Sequence, residues 1–360
     1  MYDEKPAQQA AGFAVAGLGK MGIMHSAMLG MVPGGRVAAL VDANQKVCEH
    51  VRSMGIDAPT FDNLEACIDA VRPEGVVIAT PQFTHRALFE TCVEREVAVF
   101  CEKPLANTLE DARAMARLAA EKASKPVAVG FMLGHHPLFA QAAGMIADGV
   151  LGDVKSFKAS CRLSQVFSPK SGWTFTRDQA GGGVLINSGC HLVYVLTMLF
   201  GRPRAVCVRG SGVHNEVEDS MAALIDYPSG VWGMLEVNWS VPGHDLQTHD
   251  VEVVGTTGTL EVSNETLRLW LSHKSSKYRA GWSLWPRTEV DPRADFSLSP
   301  DYCGDEFYLE IRDFVDAVRH GRAPKVGVDQ ALLVQEILDA MYRSMSDGRP
   351  IELAAENGTP

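Results

Sequence analysis

Phe13-Ala-Val-Ala-Gly-Leu-Gly-Lys-Met-Gly22 is the stretch that decides the fold. An apolar run, Phe13–Ala16, leads straight into glycines at 17, 19 and 22. Met21, Met24, Ala27, Met28 and Met31 then recur at helical spacing. Strand, glycine turn and helix in this order make a dinucleotide-binding loop. The first glycine permits the tight turn, the second lets backbone approach a pyrophosphate, and the third lets helix pack on strand. The helix start offers N–H groups and a positive dipole end to phosphate. A second apolar run, Arg36–Val41, ends at Asp42, twenty positions after Gly22. An acid there is placed to accept hydrogen bonds from the ribose hydroxyls and to repel a 2′-phosphate. The expectation is a cofactor site made of Gly17, Leu18, Gly19, Lys20, Met21, Gly22 and Asp42, taking NAD in preference to NADP.

Outward from this loop the alternation continues. Helical patterns at 63–71, from Thr80 to about Arg95, and from about Thr108 alternate with apolar runs at 75–78, 97–101 and 126–130. Strands read as continuous Val/Ile/Ala runs when both faces of a parallel sheet are covered. Residues 12–134 are therefore expected to form a Rossmann doubly wound parallel sheet after a flexible lead at 1–11, with ligands outside the carboxyl ends of its strands. From Pro137 the pattern changes to a short helix and then strand signals at 155–163, 205–210, 220–227, 230–239, 249–255 and 259–262. Turns such as Pro228-Ser-Gly230 and Gly255-Thr-Thr-Gly258 imply antiparallel pairing. Residues 135–335 thus read as an α+β domain with a large open, mostly antiparallel sheet for substrate and self-association. Residues 336–360 read as a C-terminal helix and tail packing back near the N-terminal domain. Residues 272–300 read as an irregular loop carrying Trp282, Trp285 and several cations.

Composition narrows the function. A chain of 360 residues can bury two cores. Its formal charge of −11 argues against a nucleic-acid partner. Its apolar runs suit buried helices better than membrane spans. Eight scattered cysteines without a CxxC pair suggest reduced thiols in a cytoplasm and neither a disulfide framework nor a zinc site. The histidines at 135, 136, 244 and 249 have no acid or cysteine completing a metal set nearby, so no metal is expected.

Gly181 to Gly201, GGGVLINSGCHLVYVLTMLFG, carries Asn187 and His191 four apart on an apolar helix, a spacing that puts both on one face. A histidine with an amide partner can serve as a general base. A histidine satisfied inside a core helix has the same sequence. Trp173, Arg177 and Asp178 stand just before the glycines, as wall residues of a pocket or as solvated loop.

Together these motifs resemble the glucose–fructose oxidoreductase, inositol dehydrogenase and rhizopine-catabolism (Gfo/Idh/MocA) family. The likeness rests on Gly17–Gly22, Thr80-Pro81 with His85, Glu102-Lys103-Pro104, Gly130-Phe-Met132 with Pro137, GGG with Asn187 and His191, and the Val251–Leu260 hairpin. It spans about Phe13 to Leu353. The resemblance implies that Ala79, Thr80, Pro81 and His85 line the cofactor pocket and that Glu102 and Lys103 sit beside the nicotinamide. It also implies a cis bond before Pro104. It further implies an NAD(P)-dependent oxidoreductase acting on a secondary alcohol of a polyhydroxylated sugar or cyclitol. His191 would be the base, Lys103 the cation on the reacting oxygen and Asn187 the orienting partner, with His136, Trp173 and Arg177 also lining the substrate. Inositol dehydrogenase-like members carry Asp where Asn187 stands, arginines where Leu133–His136 stand, and often an acid where Tyr194 stands. A neutral amide in place of Asp implies a more acidic pH optimum, or a substrate whose carboxylate supplies the missing charge. Members of the family also include NAD-dependent glycosidases and a non-catalytic NAD-binding regulator. An open sheet face implies a homodimer or tetramer.

Overall fold

The computed structural model describes residues 10–53, 55, 58–290 and 305–354. The chain forms two compact units: residues up to Gly130 with Phe307–Ala331, and Phe131–Glu306 with the chain from Leu332 onward.

The first unit runs β1 (Ala11–Ala16), α1 (Lys20–Met31), β2 (Gly35–Val41), α2 (Gln45–Ser53), β3 (Thr60–Phe61), α3 (Leu64–Val71), β4 (Gly75–Ile78), α4 (His85–Glu94), β5 (Ala98–Cys101), α5 (Leu109–Lys122) and β6 (Val127–Val129). Its six strands are ordered β3-β2-β1-β4-β5-β6 and pair in parallel, so the doubly wound sheet expected from the sequence is present. Every residue of β1, β4 and β5 is buried, which is why these strands carry no polar alternation. The helices start where the sequence can cap them: Asn63 accepts from Ala66 N, and Thr108 from Asp111 N at 3.1 Å.

The second unit adds α6 (Pro137–Ala147), β7 (Val154–Arg162), α7 (Arg177–Ala180), α8 (Cys190–Phe200), β8 (Ala205–Ser211), β9 (Ser220–Asp226), β10 (Trp232–Asn238), β11 (Thr248–Gly255), β12 (Gly258–Val262), β13 (Thr266–Leu271), β14 (Gly281–Pro286) and α9 (Arg287–Val290). α10 (Asp305–His320), α11 (Val328–Asp347) and β15 (Ile351–Glu352) follow. The nine-stranded sheet is ordered β14-β13-β12-β11-β7-β10-β9-β8-β15 and is antiparallel except where β10 meets β7. Most of its strands alternate between buried and more exposed positions. Phe157, Ala159 and Cys161 of β7 are buried against the helical side, while Lys158 on the other face is exposed.

Four expectations change. The unit boundary falls after Gly130 rather than Gly134. The described part of the 336–360 segment, up to residue 354, belongs to the second unit. Tyr342 donates to Glu218 at 2.8 Å and Ile351 pairs with Val206, so this segment completes the second unit. The segment Phe307–Ala331 is the one that joins the first unit: Phe314 of α10 packs, tilted, against Phe13 and Phe100 at ring distances of 5.5 and 5.7 Å. The 272–300 stretch contains an edge strand, β14, and Arg268 lies 4.5 Å over the Trp282 ring. Its residues 291–300, like residues 1–9 of the lead and Cys303, lie outside the described residues. The helical stretch Arg177–Phe200 is long and apolar enough to pass as a membrane span, with mean hydropathy 1.6, but 72% of that window is buried inside the protein. It is a core helix.

Phe314 joins a segment beyond residue 300 to the first unit's core. Phe314→Ala should therefore lower the unfolding free energy by about 3–5 kcal/mol in a urea titration. A loss below about 1 kcal/mol would remove α10 from that core.

Candidate active site

The glycine loop shows why each glycine stands where it does. Gly17 has φ +90°, and a Cβ there would lie 2.7 Å from the Ala79–Thr80 backbone. A Cβ on Gly22 would stand 1.8 Å from the carbonyl oxygen of Gly17, so α1 can start directly over β1 only with glycine. Gly19 has nothing within 4 Å of its missing Cβ, which leaves the loop open at that residue. No side chain caps α1 at Gly19, and its first turn holds no acid. Asp42, half-buried at the end of β2, accepts from Leu18 N and Asn44 N, both at 2.8 Å. An open glycine, a helix start without a side-chain cap and an anchored acid form a cradle that suits a dinucleotide. Lys20 is exposed and Met21 half-buried beside it.

At the carboxyl ends of β4 and β5 the two loops are tied together. Thr84 donates to Thr80 Oγ1 at 2.7 Å and to the Pro81 carbonyl at 2.8 Å. The His85 ring is 1% exposed. Its Nε2 lies 2.9 Å from the Thr80 carbonyl, and its Nδ1 lies 3.2 Å from the carbonyls of Pro104 and Leu105. Burial lowers its pKa. His85 is thus an internal brace between these loops, where the resemblance implied a pocket wall. The Lys103–Pro104 bond is cis, as expected.

Glu102 is buried, and its partner was not legible in the sequence. His25 of α1, fully buried, places Nε2 at 2.6 Å from Glu102 Oε1 and its ring edge-on to Phe100 at 5.2 Å. Lys103 N donates to Glu102 Oε2 at 3.0 Å. Burial alone would raise the Glu102 carboxyl, but His25 and Lys103 beside it hold it below the usual carboxylate range. Glu310 completes a buried group whose ligand atoms all lie within 4.8 Å of one another. Within this group His25 and Glu102 are in direct hydrogen-bond contact. A lone histidine in a Met-rich helix gives no periodic signal, and its partner is 77 residues away.

In the second unit, Asn187 and His191 do not sit on a regular α-helix. Residues Leu185–Gly189 form a π turn leading into α8, so Asn187 lies in the widened turn and His191 at the start of the α-helix. π turns of this kind recur at functional sites. Asn187 is half-buried and accepts a long bond from Ser188 Oγ at 3.4 Å. His191 is 4% exposed, with Phe131 edge-on at 6.2 Å and His249 at 5.8 Å. Tyr194 stacks on Phe131 at 5.0 Å, and burial pushes its phenol up to about 12.

His136 is a correction. Its ring is fully buried, with Nδ1 accepting from Leu138 N at 3.3 Å as the cap of α6 and Nε2 donating to the Asn264 carbonyl at 3.1 Å. Burial, Arg287 and His249 lower its pKa to about 3. Both nitrogens are engaged inside the fold, so His136 is a neutral structural residue and not a substrate contact. Trp173 is half-buried in a 3-10 turn, and Arg177 is exposed with its guanidinium on the Glu216 carbonyl at 3.2 Å. His249, also buried, stands edge-on to His191 with ring centroids 5.8 Å apart, and its Nε2 lies 3.0 Å from Gln247 Nε2. None of Cys48, Cys67, Cys92, Cys101, Cys161, Cys190 and Cys207 is in a disulfide.

The Glu102–His25 pair gives a signed pH prediction. A carboxyl held below its unfolded value stabilises the fold above the ordinary carboxylate range and gives up that stability as pH falls through the folded value. His25→Leu removes the partner and leaves a buried charge, a loss of about 3–5 kcal/mol near neutrality in chemical denaturation. In the variant Glu102 folds more readily protonated, so the gap to wild type should narrow as the solution is acidified. A gap independent of pH would mean that Glu102 is not ionised in the fold.

Residues 11–131 match the model of an oxidoreductase family's NAD-binding Rossmann fold, and residues 143–353 match that family's C-terminal alpha/beta domain. The scyllo-inositol 2-dehydrogenase (NAD(+)) of Bacillus subtilis (strain 168) is 28% identical over 368 residues, covering 94% of this chain and 95% of that one. Levoglucosan dehydrogenase, solved in complex with NADH and levoglucosan, has the same fold, with a TM-score of 0.85 over 96% of this chain and 100% of that chain at 22% identity. GenD2 from gentamicin A biosynthesis, in complex with NAD, matches with a TM-score of 0.80 over 99% of each chain at 28% identity. With both of the family's domains matched in order across nearly its whole length, the chain belongs to the Gfo/Idh/MocA oxidoreductase family.

Proposed function

We propose that this protein is an NAD-dependent dehydrogenase that oxidises a secondary alcohol of a sugar, sugar derivative or cyclitol. The observation that carries the proposal is the Gly17–Gly22 loop, closed against β1 at Gly22 and open at Gly19, with Asp42 anchored beside it. Gly17–Gly22, Ala79, Thr80 and Pro81 would hold the dinucleotide, and the Asp42 carboxylate favours NAD by repelling a 2′-phosphate. When bound, nicotinamide dinucleotide supplies the hydride acceptor.

The chain's own residues supply the remaining chemistry. A ring nitrogen of His191 takes the hydroxyl proton, because an imidazole titrates near operating pH. The Lys103 ammonium steadies the oxygen as it gains alkoxide character. Asn187, in the π turn, bonds the substrate or orients the imidazole without adding charge. Trp173 and Arg177 contribute apolar and cationic surface to a polyhydroxylated ring. The inositol dehydrogenase name of the Bacillus relative supports this substrate class. A chain whose described cysteines form no disulfide suits the cytoplasm.

Self-association belongs to the same reading. The face of the nine-stranded sheet turned away from the helices exposes Leu224 (53%), Trp232 (56%), Trp282 (44%) and Leu284 (56%). Cross-strand ion pairs Arg162–Glu236 and Arg268–Glu261 stand on it as well. Such a surface is more apolar than an isolated subunit keeps, so a dimer or tetramer forms through it.

Two experiments test these readings. His191→Ala should lower turnover by about 10²–10⁴ while NAD binding, followed by protein fluorescence, is retained. Wild-type turnover in that variant would place the base elsewhere. Sedimentation should give a dimer or tetramer at micromolar concentration, and Trp232→Glu with Leu284→Glu should give monomer. A monomeric wild type would end the self-association proposal.

A further inference from the structure

The glycines ahead of His191 are explained by two residues distant in sequence. Glu218, 3% exposed in the link between β8 and β9, aims its carboxylate at the start of the helical stretch that carries Asn187 and His191. Gly183 N donates to both carboxylate oxygens at 3.0 and 2.9 Å, and Leu185 N donates to Oε1 at 3.0 Å. The backbone carbonyl of Glu218 accepts from Val184 N at 2.9 Å. Tyr342 of α11 donates its hydroxyl to Glu218 Oε1 at 2.8 Å and accepts from Ile186 N at 3.2 Å.

Four consecutive N–H groups, those of residues 183 to 186, are thus taken by Glu218 and Tyr342. They are the donors that a helix start leaves without intrahelical partners. An ordinary capping side chain satisfies one of them. The approach is close enough to exclude side chains: a Cβ on Gly182 would stand 1.9 Å from the Tyr342 hydroxyl, and one on Gly183 would stand 2.2 Å from the Glu218 carbonyl. The carboxylate also sits at the positive end of the helix, where a negative charge is favoured. Immediately after this lock the chain takes the π turn that holds Asn187.

We propose that Glu218 and Tyr342 are positioning residues that fix where Asn187 and His191 stand, by seizing the helix start and setting the π turn between them. The inference rests on the reading of His191 as the base. The lock is rigid because it is buried. Burial pushes the Glu218 carboxyl up against the pull of its donors, and the Tyr342 phenol is raised by burial and by Glu218 beside it. Neither residue touches substrate; each acts through the backbone of the helix start.

The test uses the full-length enzyme with NAD and whichever of scyllo-inositol, myo-inositol and D-glucose wild type oxidises fastest. Tyr342→Phe keeps the ring and deletes two hydrogen bonds. Its kcat should fall about 10- to 100-fold, the scale of a 1 Å misplacement, with KM and NAD affinity little changed. Amides 183–186 should lose hydrogen-exchange protection in the same variant. Glu218→Gln puts an amide N–H₂ against donors and should fall further. A merely structural role predicts a lower Tm with unchanged kcat in the folded protein, and that result overturns the proposal. If Glu218→Gln does not fold, Tyr342→Phe decides alone. His191→Ala separates the two claims. If it retains turnover, the base assignment fails; if it loses turnover while Tyr342→Phe does not, only the positioning role fails.

Discussion

No atom larger than hydrogen fits between Cα of Gly22 and the carbonyl of Gly17, and the first unit depends on that contact. It lets α1 rise directly from the end of β1, the central strand to which β2 and β4 both pair. From this start the order β3-β2-β1-β4-β5-β6 follows, with crossovers wound on both faces. The same closeness brings His25, on the buried side of α1, to the end of β5, where Glu102 receives it. One helix therefore offers its N-terminus to a phosphate and, a turn later, a histidine to a buried carboxylate.

Both units handle buried charge in the same way. The Glu102 carboxylate is met by His25 and the Lys103 backbone, and the Glu218 carboxylate by two backbone donors and a phenol. A buried carboxylate is costly unless donors saturate it, and once saturated it holds those donors in one arrangement. In each case the held backbone leads into a residue of the proposed site: Lys103 in the first unit and His191 in the second. Asp219 does the same next door, accepting from Trp239 Nε1 at 2.7 Å and from Val213 N and His214 N.

The sequence revealed what short-range patterns encode. Continuous apolar runs marked the parallel strands, and the glycine spacing with Asp42 marked the loop. Strand signals between turn residues marked β7 to β12. β14 escaped because, at the edge of the sheet, it buries no residue fully and Trp282 and Leu284 face outward; β13 has a regular alternation, with Leu267, Leu269 and Leu271 buried, and was passed over. The partners of Glu102 and Gly183 escaped because they come from 77 and 35 residues away, and a single polar residue has no period. The two closing helices were assigned the wrong way round. Phe307–Val318 and Leu333–Met341 both carry apolar stripes, and only tertiary packing sends Phe314 to one core and Tyr342 to the other. His136 misled because adjacent histidines look alike in sequence, while the backbone turn before Pro137 buries one of them as a cap.

The central claim is that the glycine loop and His191 serve one net oxidation of a polyhydroxylated alcohol. The most direct measurement is the appearance of reduced nicotinamide by ultraviolet absorbance, with product analysis, when the enzyme and NAD meet a panel of inositols, aldoses, amino sugars and uronic acids. The account predicts one equivalent of NADH released for each equivalent of ketone or lactone formed. Tight NAD binding with no NADH from any member, or glycosidic cleavage without net NADH, would contradict it.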